Sequence, residues 1–207
     1  MQPQRVVVVI LLLLVCSSVA FTEETPPYEA FPEALGVAAG RISGLGLHYH
    51  RWAGERGYQL TAGALYLPPT GPNRTTPYLA PWGGYVLLDY NVGGAYQRRV
   101  YADRFNNWFA GSLYLFAGGN HRGYIPMEQT SPDSYEGDVY VPAEYAPGGF
   151  QAEITGGVGI GIELILFRHI SIPAEFGYGG TWTVTEPDLM QAFAVQLYGQ
   201  AALRYRY

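Results

Sequence analysis

The side chains of this protein that could carry ionic or acid–base chemistry stand singly within apolar segments. They comprise two histidines, four carboxylates and three arginines: His48, His50, Asp89, Arg99, Glu153, Glu163, Glu175, Arg204 and Arg206. Most alternate with apolar or aromatic residues, and a period of two is that of a β-strand, whose successive side chains point to opposite faces. The alternation therefore predicts strands with one apolar face, and it places these nine groups on the opposite, polar faces.

These nine groups predict a salt-bridged polar core rather than a reactive centre. Carboxylates and guanidinium groups that share a narrow, poorly hydrated interior must pair, because an unpaired buried charge is costly. Arginine suits this pairing better than lysine, because its planar fork meets a carboxylate with two hydrogen bonds. A gated ion path and a catalytic carboxylate pair are the alternatives. A glycosidase is defined by the separation of its two carboxylates, and nothing in the sequence indicates such a separation.

His48 and His50 lie two residues apart, so their imidazole rings share one face of a strand. This spacing permits a metal site if the fold supplies a third ligand, for which His121 and Glu55 are candidates. Two interior histidines within a network of acids and arginines are the commoner arrangement. We therefore expect no metal and no cofactor.

The elements that must position these groups are clearest at the end of the chain, from Met190 to Tyr207. One face of this segment carries Phe193, Val195, Leu197, Gly199, Ala201, Leu203, Tyr205 and Tyr207. The opposite face carries Gln196, Gln200, Arg204 and Arg206, among others. The segment exceeds the usual strand length of soluble proteins. A membrane β-barrel turns such an apolar face toward lipid and keeps the polar face in its lumen.

Eight strands are predicted along the chain. They span Leu35–Gly40, Leu45–Trp52, Tyr58–Leu67, Tyr85–Val100, Asn107–Gly118, Phe150–Leu166, His169–Trp182 and Met190–Tyr207. The first two form a hairpin that turns at Arg41 to Gly44. Most of the connections then alternate between short and long, the longest being 119–149, as the turns and loops of outer-membrane barrels do. The expected fold is a closed up-and-down antiparallel transmembrane β-barrel.

The first twenty residues have the pattern of a secretory signal peptide. Arg5 precedes an apolar run of about ten residues, too short for a membrane helix, and small residues follow at Ser18 and Ala20. Lipid attachment at Cys16 is the less favoured alternative, because Val15 stands where that signal normally has a small residue. We predict cleavage after Ala20, an acidic, proline-rich leader over 21–33 that is a disordered spacer, and a barrel domain over 34–207.

The composition agrees with a secreted membrane barrel. Charged residues make up 14% of the chain, against about 25% in soluble domains. Aromatic residues make up 15%, including 18 tyrosines, and there are 27 glycines. The formal net charge is −5 and no basic run occurs, so nucleic acid is not an expected partner.

These features together resemble the small eight-stranded outer-membrane barrels of bacteria, the class of the OmpA and OmpX membrane domains. The resemblance covers roughly 34–207 and includes the aromatic C-terminus, Tyr205 and Tyr207. In that class a terminal aromatic residue belongs to the signal for the barrel-assembly machinery; Phe is usual there, so Tyr207 is a mild departure. The resemblance implies a location in the bacterial outer membrane, contact with its lipid and a monomeric state. It implies no activity.

Two motifs suggest enzymes but lack the sequence context that such enzymes need. Ser171, His169 and Glu175, with Ser112 as an alternative nucleophile, could form the triad of a lipid-modifying barrel enzyme. They share a polar face rather than a lipid face, and no nucleophile motif surrounds either serine. The glycine-rich run 156–161 sits inside a strand pattern and opens no helix, so it is not a phosphate site. Its glycines are expected to allow close approach of neighbouring side chains.

The predicted function is structural: a non-enzymatic protein that stabilises the cell envelope and presents loops outside the cell. The loop over 119–149 holds several acids and tyrosines that could bind an extracellular protein or a cation, although a solvated loop is favoured. A narrow gated channel is the principal alternative. A soluble lipocalin-type ligand binder is less favoured, since too few charges would then remain to face water.

Overall fold

Strands form wherever the sequence alternates, so the protein is almost entirely β-structure. A computed structural model describes residues 25–66, 78–79, 85–106, 108–136, 139–141, 143–185 and 193–207. Within these ranges a single-turn helix, α1 (Pro27–Ala30), precedes the strands. The strands are β1 (Glu33–Gly40), β2 (Gly44–Ala53), β3 (Arg56–Tyr66), β4 (Tyr78–Leu79), β5 (Tyr85–Asn106), β6 (Phe109–Ser131), β7 (Ser134–Glu136), β8 (Val139–Val141), β9 (Glu144–Pro147), β10 (Gln151–Leu166), β11 (Ile170–Thr183) and β12 (Phe193–Arg206).

Eight long strands form a ring of hydrogen-bonded antiparallel neighbours, in the order β1, β2, β3, β5, β6, β10, β11 and β12. The last strand, β12, pairs with β1, and this pairing closes the ring. The prediction of an all-β fold with eight antiparallel strands is therefore confirmed. The predicted first hairpin is also present, with its turn at Arg41–Ser43.

Short strands lie at one end of the ring. The two-residue β4 pairs with β5, β9 pairs with the far end of β6, and β7 and β8 form a separate hairpin. The opposite end carries the start of β1, the end of β12 and tight turns such as that at Phe167–Arg168. We call it the terminal end. In the described part of the chain, no helix is long and apolar enough to cross a membrane.

The ring is staggered, so its strands are tilted. Following paired residues once round the ring leads from Phe109 to Gly119, ten residues further along the same strand. With strands about 4.8 Å apart and a rise of about 3.3 Å per residue, this stagger tilts the strands by about 40°. A ring of eight strands encloses an interior that side chains can fill. Residues distant in sequence therefore touch across it.

One strand runs further than the sequence predicted. β6 continues to Ser131 and pairs with both β5 and β10 as far as Tyr124, so the prediction of a loop over 119–149 is wrong for its first part. Asn120 and Arg122 lie on the buried face of this extension. Gly119, His121 and Gly123 share its other face, so that face lacks the large apolar residues whose alternation would have indicated a strand.

Part of the leader is ordered, which contradicts the prediction of a disordered spacer for residues 25–33. Pro27 begins α1, where its missing N–H is not needed and its fixed φ fits the helix. The backbone N–H of Trp52 donates to the Pro32 carbonyl at 2.8 Å, and the backbone N–H of Tyr207 donates to the Glu33 carbonyl at 3.0 Å. These bonds fix the segment across the terminal end. Residues 1–24, including the predicted signal peptide, lie outside the described residues.

Polar side chains point into the ring and large apolar side chains point outward. On β12, Arg204 and Arg206 are buried, whereas Leu203 and Tyr205 are exposed. The exposed fraction reaches 76% at Leu47 on β2. This distribution is the inverse of the one that places apolar residues inside and leaves charged residues at the surface.

The turn between β1 and β2 folds into the ring instead of projecting from it. Ile42 is fully buried, and its Cδ1 would lie 2.8 Å from a Cβ at Gly157 and 2.7 Å from one at Gly177. Only glycine leaves room for it. The glycines of β10 and β11 thus allow the close packing that the sequence suggested, and Ile42 packs in one cluster with Tyr114 and Phe116.

Candidate functional site

Glu163 on β10 is the centre of a buried ionic cluster. Its carboxylate accepts hydrogen bonds from Arg206 Nη2 at 2.8 Å and from Arg204 Nη1 at 3.4 Å. Trp52 Nε1 donates at 3.2 Å and the Ser171 hydroxyl also donates to it. The exposed fraction of Glu163 and Arg206 is 0%. A buried carboxylate stays charged only with such partners, so β10 and β12 are held together across the interior.

Glu175 on β11 has a different, uncharged set of partners. Tyr114 Oη donates to it at 2.7 Å and Gln97 Nε2 donates at 2.8 Å. The Gln200 amide donates to its second oxygen. The expected arginine partner is absent among the described residues, so this part of the predicted pairing is wrong. Neutral donors compensate the carboxylate here, and they connect β5, β6, β11 and β12.

A second ionic cluster lies toward the end opposite the terminal end. Arg122 binds Asp89 with two hydrogen bonds, of 3.0 and 2.8 Å. Arg122 also lies 3.5 Å from Glu153, to which Arg41 donates at 2.8 Å. Glu153 was expected to pair with Arg99, Arg204 or Arg206, and it instead meets two arginines that the sequence analysis did not select. The available signals were the charge of both arginines and the two-residue spacing of Asn120 and Arg122, which places them on one face of a strand.

Arg99 is held by aromatic rings rather than by a carboxylate. Its guanidinium lies 4.2 Å from the ring centre of Trp52 and 4.4 Å from that of Tyr28 in α1. Guanidinium groups bind aromatic faces through the charge distribution of the ring. Burial raises the pKa of the Tyr28 phenol above its ordinary value. The ordered part of the leader therefore covers a cation at the terminal end of the interior.

The two histidines do not form a metal site with the proposed ligands. His48 Nδ1 lies 2.9 Å from Thr61 Oγ1 and His50 Nε2 lies 3.0 Å from Gln97 Oε1. His121 is exposed on the outer face, where its ring contacts Tyr90. In the described part of the chain, no three potential metal-binding side chains cluster. Both histidines are instead members of the interior hydrogen-bond network.

The suggested catalytic triad is not assembled. The Ser171 hydroxyl donates to Glu163, and Ser112 approaches the same carboxylate at 3.5 Å. His169 lies in the turn before β11, where its Nδ1 is 2.8 Å from the Arg206 carbonyl oxygen. Glu175 is bound by Tyr114 and the two glutamines. Neither serine lies beside an imidazole base, so this geometry offers no activated nucleophile of the kind proposed.

Side chains nearly fill the interior between the two ionic clusters. An interior cavity beside His48, Glu175 and Arg204 has a volume of about 10 Å³. This is roughly the space that one water molecule needs.

Comparisons of the chain with protein families, curated proteins and solved structures find no match. The arrangement of charges and apolar surface therefore carries the argument for function.

Proposed function

We propose that the protein is a bacterial outer-membrane β-barrel with a structural role, in which the ring spans the membrane. One observation carries the proposal: the apolar face of every long strand is turned outward, while most charged residues of these strands, including Glu163, Arg204 and Arg206, are inside. In water such an outer surface would be a very large exposed apolar patch, which soluble monomers avoid. In contact with lipid, the same surface carries no free-energy penalty of exposure to water. The closed ring also leaves no strand edge with unpaired backbone groups in the membrane.

The dimensions of the outer apolar surface support the proposal. On β10 the outward residues from Ile154 to Leu164 are apolar or glycine. Ten residues at about 3.3 Å each, tilted by about 40°, cover a height of about 25 Å, which matches the apolar band of membrane barrels. We call this surface the apolar belt. Exposed aromatic residues border it toward the terminal end: Trp108, Phe167, Tyr205 and Tyr207. Others border it toward the opposite end: Tyr66, Trp182 and Phe193.

The filled interior favours a structural protein over a channel. Ile42, Trp52, Tyr114 and Phe116 occupy the space between the strands, and α1 covers Arg99 at the terminal end. An open ion path needs a continuous hydrated lumen, which these side chains obstruct. We propose no catalytic turnover, because the candidate nucleophiles are bound to carboxylates.

The proposed partners follow from this placement. Residues 1–20 would direct export, and Tyr205 and Tyr207 would present the terminal signal to the barrel-assembly machinery. The outer-membrane lipid would contact the apolar belt, with the protein as a monomer. The terminal end would face the periplasm. Strands β7, β8 and β9 would then lie outside the cell, where they could present a protein-binding or cation-binding surface.

Site-directed spin labelling tests the lipid exposure of the apolar belt. The chain without residues 1–20 has no cysteine, so single cysteines can be introduced as Leu47→Cys and Leu197→Cys and labelled after refolding into vesicles. Both positions are highly exposed, at 76% and 72%. We expect both labels to be accessible to dissolved oxygen, which partitions into lipid, and shielded from a water-soluble nickel chelate.

The matched control is Asp133→Cys, which is exposed beyond the end of β6. Its label should respond to the nickel chelate and much less to oxygen. If the labels at 47 and 197 respond to the chelate as strongly as the label at 133, the belt faces water and the membrane proposal is wrong.

A further inference from the structure

Two arginines face each other on the outer surface near the terminal end. In the register of β3 and β5, Arg56 lies directly opposite Arg98, and both side chains are exposed. Like charges directly opposite each other on neighbouring strands destabilise a sheet. Such a pair is expected where an anion from outside the chain offsets the repulsion.

The chain itself provides no such anion where the structure describes it. Among the described residues, neither Arg56 nor Arg98 has a carboxylate within ion-pair distance, whereas the neighbouring Arg51 lies 3.8 Å from Glu33. The Glu33 carboxylate is thus engaged on the far side of β2. Arg56 and Arg98 together form what we call the arginine patch.

Aromatic residues separate the arginine patch from the apolar belt. Tyr58 and Tyr96 are the next outward residues on the same two strands, and their ring centres are 5.6 Å apart in an edge-to-face arrangement. The next outward residue of β3 is Leu60, which is 63% exposed. On β5, the exposed Val100 and Tyr101 lie beyond Arg98 toward the terminal end. Along β3, the order from the terminal end is cation, tyrosine, aliphatic. A membrane surface presents phosphate, interfacial carbonyl groups and acyl chain in the same order.

We propose that the arginine patch binds the phosphate of an anionic phospholipid in the leaflet nearest the terminal end. This inference rests on the proposed membrane location and adds a specific site to it. Two guanidinium groups can hold one phosphate through several charge-assisted hydrogen bonds. The tyrosine hydroxyl groups are placed at the depth of the lipid ester groups, and the acyl chains then lie along Leu60 and its neighbours.

Spin-labelled lipids test this proposal with the refolded protein in phosphatidylcholine vesicles. The fraction of motionally restricted label gives the association of phosphatidylglycerol relative to phosphatidylcholine. We expect the anionic lipid to associate preferentially, with a preference that falls as salt is raised. A basic residue near a charged membrane surface contributes about fivefold to association. Arg56→Gln and Arg98→Gln should therefore each reduce the preference about fivefold at the site.

The matched control is Arg168→Gln, which removes a charge from the same end of the ring but from the turn between β10 and β11. Its lipid preference should equal that of the unaltered protein. Equal preference for the two lipids in the unaltered protein, or an equal loss in all three variants, would overturn the proposal. Arg56 and Arg98 are exposed and Arg168 is half-buried in a turn, so the ring is expected to fold in all three variants.

Two further results separate the alternatives. Inorganic phosphate should displace the labelled lipid no better than chloride at equal ionic strength; stronger displacement would mean a site for free phosphate instead. Insertion is measured separately in pure phosphatidylcholine. A protein that inserts there without preferring anionic lipid contradicts only the arginine patch, whereas a protein that fails to insert contradicts the membrane proposal itself.

Discussion

At the scale of single residues, the buried charges depend on one another. Glu163 accepts hydrogen bonds from Arg204 and Arg206, and all three side chains are almost fully buried. The two arginines carry two positive charges against one negative charge. Arg206 also donates to the Phe31 carbonyl at 2.8 Å, and Arg204 donates to the Gln59 side chain at 3.0 Å. Of these three charges, that of Glu163 is therefore the one whose loss would destabilise the cluster most.

We predict that Glu163→Gln strongly destabilises the protein. The amide keeps the shape of the side chain but leaves two buried guanidinium groups without a carboxylate, and breaking a buried pair in this way costs about 3–5 kcal/mol. Urea unfolding of the refolded protein, followed by tryptophan fluorescence, measures the difference in free energy.

The control for this prediction is Glu144→Gln on β9, whose side chain is exposed. A surface change of this kind should alter the unfolding free energy by less than about 0.5 kcal/mol. If the two variants unfold alike, Glu163 is solvated, and the interior contains more water than the packing indicates. The channel alternative would then gain support.

At the scale of elements, the glycines of β10 decide how closely side chains can pack inside the ring. A Cβ on Gly161 would collide with the Tyr114 ring, which is buried and bound to Glu175 through its hydroxyl group. A Cβ on Gly156 would point outward and meet nothing nearer than 3.8 Å. The same strand thus offers a glycine that packing requires and one that packing does not require.

We predict that Gly161→Ala destabilises the protein whereas Gly156→Ala does not. Overpacking at Gly161 should cost about 1–3 kcal/mol, because the Tyr114 ring cannot move without losing its bond to Glu175. At Gly156 the added methyl group should be neutral or stabilise by up to about 1 kcal/mol, since it restricts the unfolded chain. Thermal unfolding of both variants measures the effects. Equal destabilisation would mean that strand propensity, and not interior packing, selects these glycines.

At the scale of the whole molecule, the interior of the ring is obstructed in two places, by the turn between β1 and β2 and at the terminal end. The turn at Arg41–Ser43 enters it from one side, and α1 with Phe31 covers the terminal end, where the Phe31 ring lies 4.3 Å from that of His169. Two ionic clusters and an aromatic layer lie between them. The molecule is built as a filled cylinder rather than a tube.

We predict that the purified protein produces no large, steady conductance in planar bilayers. Insertion has to be verified independently, by the altered gel mobility that folded barrels show before heating. A channel-forming barrel in the same lipid is the positive control. Regular, ungated current steps from inserted protein would contradict the filled interior and would favour the channel alternative.

The alternation of residue types determined much of this protein by itself. A period of two is a local property of the chain, so the strands, their two faces and the first hairpin could be predicted from particular segments such as 190–207. All nine selected polar side chains lie on inward faces, and seven of them, including His48, Asp89 and Glu163, are buried. The prediction failed where both faces are small or polar, as along 119–123.

The pairing of charges was decided only by the tertiary structure. The partners of Glu153, Arg41 and Arg122, lie 112 and 31 residues away. Arg122 is opposite Glu153 in the register of β6 and β10, and Arg41 stands in the turn that folds into the ring. No local pattern records this register or the ten-residue stagger of the ring. The same stagger gives Glu163 two arginines and leaves Glu175 to tyrosine and glutamine. Alternation tells which face a side chain occupies, whereas strand register around the closed ring decides which side chain it meets, because that register is a property of all eight strands at once.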